Sequence, residues 1–119
     1  METKIKTWAF DIQEAVESIE MFIQDKKDIE SFGQDLKTKR AVERELEIIG
    51  EAVDRINKLD SDIEISNLRQ IINMRNKIIH GYETVSDTVL WVTIHNSLPQ
   101  LKKEIQKILQ RDCSQDMGL

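Results

Sequence analysis

Apolar residues recur at three- and four-residue steps along most of the chain, and the breaks between these runs predict four helical segments. The first spans about Lys4–Gln24, where Ile5, Trp8, Ile12, Ala15, Ile19, Phe22 and Ile23 form one stripe that ends at the charged cluster Asp25–Asp28. The second covers about Gln34–Leu59, with Val42, Leu46, Ile49, Val53 and Ile56 on one side and Glu43, Glu47 and Glu51 on its polar flank. Gly50, inside that segment, costs about 1 kcal/mol of helix propensity relative to alanine, so it is expected where a neighbouring backbone comes close. The third helix is expected over about Ile63–His80, and Gly81 after it can take the left-handed conformation that closes a helix. The fourth starts at Ser86 or Asp87, both suitable N-caps, and carries Trp91, Ile94, Leu98, Leu101, Ile105 and Ile108, with a kink at Pro99. A single domain over residues 1–119 accommodates these segments, with fraying from about residue 112 onward.

Composition narrows the class. One proline, four glycines and a third of the residues charged describe a soluble all-α protein. There is no apolar run near the ~20 residues that a membrane span requires, and the N-terminal stretch lacks the apolar centre of a signal peptide, so a cytoplasmic location is expected. Cys113 stands alone in a polar tail, without a disulfide partner or companion metal ligands. A net charge of −5 disfavours capture of nucleic acid by bulk electrostatics and points away from DNA. A role with nucleic acid therefore rests on a local patch, either Lys37, Lys39, Arg40 and Arg44 or Arg69, Arg75 and Lys77, and both sets also suit ordinary solvated helix faces.

The segment Asn73–Glu83, NMRNKIIHGYE, sets an arginine among isoleucines. On a wheel of about 100° per residue with Arg75 at zero, Leu68, Ile71, Ile72, Ile78 and Ile79 fall within roughly 60° of it. Arg75 is thus expected at the centre of the apolar stripe. An unpaired guanidinium there costs on the order of several kcal/mol, so it needs a carboxylate, a wet cleft or an interface that binds an anion. Asn76, Arg69 and His80 lie on a bordering face at roughly 100°, 120° and 140°. Cleavage of RNA by the ribose 2′-hydroxyl needs a proton carrier near neutral pH and a cation at the phosphorane, the residue types found at His80 and Arg75, with Asn76 able to orient either. The scheme requires no metal, and two histidines fifteen residues apart, without a carboxylate pattern, make a poor metal site. Geometry alone leaves function open, because one arginine and one histidine on a helix also describe a structural ion pair and a helix-end hydrogen bond. His95, Trp8 and Trp91 are read as structural.

The run RNKIIHGY resembles the signature of HEPN domains, specifically the HepT-like branch. RAVERELEIIGEA, Arg40–Ala52, is similar to that branch's second-helix motif, Trp91 stands where its tryptophan follows the motif, and NSLPQLKKEI resembles its closing helix. The resemblance implies an all-α, four- to five-helix up-and-down bundle that forms a homodimer, with the motifs of both subunits meeting in a cleft. It implies a metal-independent toxin ribonuclease without a cofactor, silenced by a nucleotidyltransferase antitoxin. Under that resemblance Arg75 and His80 form the catalytic pair, Asn76 supports them, and Tyr82 accepts AMP. Two places depart from the family pattern: no Pro-Trp and glycine lead into Arg75, and Glu83 replaces the frequent aromatic after the tyrosine. The rival reading is a non-catalytic helical partner, or a nucleotide-binding subunit, of a nucleotidyltransferase. In the non-catalytic form Arg75 is locked by an acid such as Glu47 or Glu51.

Overall fold

The computed structural model describes residues 2–81 and 85–117, with side chains described for 3–81 and 85–110. These residues form α1 (Glu2–Phe22), α2 (Ile29–Gly33), α3 (Leu36–Leu59), α4 (Leu68–His80), α5 (Asp87–Val92), a π-helical stretch (Thr93–Ser97) and α6 (Leu98–Met117). No strand occurs among them. No helix of the described residues is long and apolar enough to cross a membrane.

The long amphipathic runs fold as their periodicity demands. Ile5, Ile12, Ala15 and Ile19 of α1 and Val42, Leu46, Ile49, Val53 and Ile56 of α3 are all buried, joined by Leu98, Leu101, Ile105 and Ile108 of α6. Trp8 and Asp11 lie opposite Ala52 and Arg55, and Ser18 and Met21 opposite Glu45, so α3 runs antiparallel to α1. α1 packs on α3 and α6, whereas α4 packs chiefly on α3. The result is a row of helices in the order α6, α1, α3, α4, measuring 52 × 29 × 19 Å. The helix carrying the Arg-His segment is at one edge of that row.

Local chemistry sets the boundaries. Asp28 and Ser31 form a capping box that starts the short α2, a helix absent from the four expected segments, and Phe32 within it is fully buried. Asp35 caps α3 by accepting from the Thr38 amide at 3.0 Å and the Thr38 hydroxyl at 2.7 Å, with Lys26 at 2.9 Å. Those bonds stabilise the carboxylate and hold Asp35 well below the usual carboxylate range, the Thr38 amide acting most strongly. Ser86 caps α5 through the Val89 amide at 3.1 Å.

Two expectations change. The third helix starts at Leu68, five residues later than its periodicity suggested. Ile63 is buried from the connection instead, Asn67 takes a left-handed φ of 62°, and the Ser66 amide and hydroxyl both donate to Glu104 of α6. A buried isoleucine in a loop mimics helical spacing. In the last helix the disturbance before Pro99 is a π-helical stretch, in which the Leu98 amide reaches back to the Thr93 carbonyl. Pro99 has no amide to donate and its ring crowds the carbonyl four residues back, so the wider turn absorbs the misfit.

Candidate active site

α4 begins without a side-chain cap and ends with Gly81 at φ 69°, whose amide donates to the Lys77 carbonyl at 3.3 Å. The left-handed glycine expected from the sequence is therefore present, and His80 is the last residue of the helix, exposed to solvent. Tyr82 lies outside the described residues.

The arginine is held differently from the wheel's simple picture. Only Ile71 and Met74 of α4 are buried; Ile72 and Ile78 are half-buried, and Ile79 is 51% exposed. The apolar stripe is therefore split between a face against α3 and a face left open. Arg75 sits at the boundary of the two, with 18% of its side chain exposed, rather than at the centre of a buried seam. Its stem crosses α3 at Gly50, where an added Cβ would come within 2.7 Å of Arg75 Cγ and closer still to Arg75 Cβ. The glycine makes that approach possible, as its place in the sequence suggested.

The guanidinium meets Asp54 of α3, Nη2 to Oδ2 at 3.6 Å. The acids singled out from the sequence are engaged elsewhere: Glu51 pairs with Arg55 and Glu47 with Arg44. Asp54 also pairs with Lys58, one turn along α3, at 3.2 Å. Arg75 Nε is buried and has no hydrogen-bond partner among the described residues. An incompletely satisfied guanidinium beside an open helix face has the donor geometry for a phosphate, whose oxygens accept in pairs. Asn76 is half-buried on the bordering face.

The remaining candidates separate. Arg40 and Arg44 are exposed along α3 and pair loosely with Glu43 and Glu47 at 3.9 and 3.6 Å, while Lys39 is drawn to Asp87 at 2.6 Å. His95 packs edge-on against Trp91, ring centroids 4.3 Å apart, and Trp91 in turn contacts Phe32. The trench between α1 and α3 is acidic, lined by Asp11, Glu14, Glu17 and Glu45; burial raises the Glu45 carboxyl above its ordinary range, with Glu14 adding to it and Arg44 opposing. A polyanion is repelled there. Among the described residues, no group of three His, Cys, Asp or Glu side chains is placed to hold a metal ion.

A row of helices whose edge member presents an arginine and, five residues on, a terminal histidine closed by a left-handed glycine defines a class of helical domain with a short Arg-His segment. Residues 12–108 match the family described as Ribonuclease HepT-like, and the chain belongs to that HepT-like branch of the HEPN domains. It is similar, at 39% identity over 91% of this chain and 98% of the relative, to a protein of Thermococcus cleftensis named "Probable ribonuclease HepT". It is 36% identical to "Putative RNase MJ0125" of Methanocaldococcus jannaschii, over 89% of this chain and 91% of the relative. It is also 35% identical to "Putative RNase TTE0752" of Caldanaerobacter subterraneus, over 85% of this chain and 93% of the relative. No solved structure matches the chain.

Proposed function

We propose that the chain is a metal-independent endoribonuclease of the toxin type, in which Arg75 and His80 act on an RNA phosphodiester. The observation that carries this reading is the incompletely satisfied Arg75 guanidinium on the edge helix, within a segment matched to the HepT-like ribonucleases. The 2′-oxygen attacks phosphorus, the 5′-oxygen of the next nucleotide leaves, and the product carries a 2′,3′-cyclic phosphate. His80 carries the proton between these oxygens, Arg75 stabilises the charge gathered on phosphorus, and Asn76 orients the phosphate or the ring.

The outer side of α4, where Ile79 is exposed, supports assembly of two copies about that helix, so that two Arg-His segments share one cleft. Control by a nucleotidyltransferase antitoxin belongs to the same proposal: AMP on Tyr82, two residues past His80 in the sequence, adds a bulky anion that competes with the substrate phosphate.

The test is cleavage of RNA by the full chain. Changing His80→Ala or Arg75→Ala is expected to lower the rate at least ~100-fold, the scale of a lost proton carrier or charge stabiliser, with folding retained; a chelator is expected to change nothing. Persistent cleavage in a well-folded His80→Ala protein removes the assignment. Incubation with the nucleotidyltransferase and ATP is expected to add mass in AMP steps and to silence the wild type. Tyr82→Phe is expected to gain no mass, and any gain there excludes the tyrosine.

A second reading, a non-catalytic partner in which Arg75 is structural, draws on its contact with Asp54. In that case Arg75→Ala lowers thermal stability and no preparation of the wild type cleaves RNA.

A further inference from the structure

Among the described residues Arg75 is close to the carboxylate of Asp54, yet poorly satisfied by it. The Nη2–Oδ2 separation of 3.6 Å is beyond a good hydrogen bond, and Nε is buried without a partner. Asp54 stands nearer to a second cation, Lys58, at 3.2 Å. Lys58 is 75% exposed and one turn away on the same helix, where it stays within reach of Asp54, whereas the Arg75 stem is pinned against Gly50.

From this arrangement we infer that Asp54 is a positioning residue for Arg75: a resting-state substitute for the substrate phosphate, which holds the guanidinium at the α3–α4 seam and releases it to an incoming phosphodiester, with Lys58 retaining Asp54 when Arg75 leaves. The inference rests on the reading of Arg75 as a phosphate-binding residue. The physical logic is competition. A carboxylate offers Arg75 one loose contact, while a phosphate can accept from two guanidinium N–H groups together once the head group turns out of the seam in which Nε is buried. The exchange leaves no carboxylate stranded, since Asp54 keeps its nearer cation throughout. Because the resting contact is single and long, at 3.6 Å, the pair can yield to a substrate that accepts from two N–H groups.

Asp54→Asn keeps the shape and removes the competing charge. Inorganic phosphate is titrated into the full chain, followed by the arginine Nε–H resonances in NMR spectra, with Arg75→Ala identifying the signal of interest. RNA cleavage is measured on the same preparations. Asp54→Asn is expected to tighten phosphate binding at Arg75 about threefold and to lower KM for RNA by a similar factor, with kcat within about twofold of wild type. Asp54→Glu is expected to stay close to wild type in both. Lys58→Met, which leaves Asp54 to Arg75 alone, is expected to weaken phosphate binding, and only while Asp54 is present.

Unchanged or weaker phosphate binding in a folded Asp54→Asn protein overturns the inference, as does an Arg75 resonance that ignores phosphate. Should Asp54→Asn not fold, Lys58→Met decides, and no effect there overturns it. Phosphate binding that obeys these expectations in a chain that cleaves no RNA leaves the role of Asp54 standing and removes the ribonuclease reading. Cleavage without phosphate dependence on Asp54 does the reverse.

Discussion

Gly50 is where two helices decide whether they can touch. A methyl group added there meets the root of Arg75, which cannot swing aside as a side-chain tip would, so α4 itself must move. Gly50→Ala gains about 1 kcal/mol of helix propensity and incurs overpacking of about 1–3 kcal/mol. The expected outcome in denaturant titration is a net loss of up to about 2 kcal/mol, the difference of those two effects. With Arg75 in its proposed role, activity is expected to fall more than stability suggests, because Arg75 is the residue displaced. The glycine was legible in the sequence as an anomaly inside a strong helix. The partner of Arg75 was not: Glu47, Glu51 and Asp54 share the flank of α3, and which of them faces Arg75 depends on how far α4 slides along α3. That offset is fixed where Gly50 receives Arg75 and where the chain turns at Asn67, long-range facts that residue spacing does not contain.

At the scale of elements, the long amphipathic helices were readable because burial repeats over about four turns, as in Val42, Leu46, Ile49, Val53 and Ile56. α2 escaped because five residues hold no period; its only signal is the Asp28–Ser31 spacing of a capping box. The π-helical stretch was readable only as a disturbance at Pro99. The start of α3 leads to a pH prediction. Asp35 has its carboxyl lowered by the Thr38 amide first, then by Lys26 and the Thr38 hydroxyl. A lowered folded-state value means that the stabilisation is fully present above the unfolded value of about 4 and is lost as pH falls below it. Asp35→Asn is therefore expected to lower the melting temperature at pH 7 and to narrow its gap from wild type as the pH drops from about 5 towards 3. Thermal melts that stay parallel across that range contradict the assignment. Lys26, raised by the same contact, loses its share only at strongly alkaline pH.

At the scale of the molecule, the order α6, α1, α3, α4 leaves the edge helix with one principal neighbour, and Ile79 stays half exposed on its outer side. A second copy covering that side is expected to give a dimer in light scattering at tens of micromolar protein, and Ile79→Glu is expected to shift it towards monomer; a monomeric wild type refutes the assembly. The single-sided support of α4 also sets a hierarchy of opening. Backbone amides exchange with solvent through partial unfolding, and a helix with one neighbour detaches at lower free energy than α1 or α3, which are gripped from two sides. In deuterium uptake the amides of α4 are then expected to exchange before those of α1 and α3 in a dilute chain. They slow as concentration rises or RNA is added, while those of α1 change little. Protection of Ile71–His80 thereby becomes a direct gauge of how often α4 is docked, and of what docks against it.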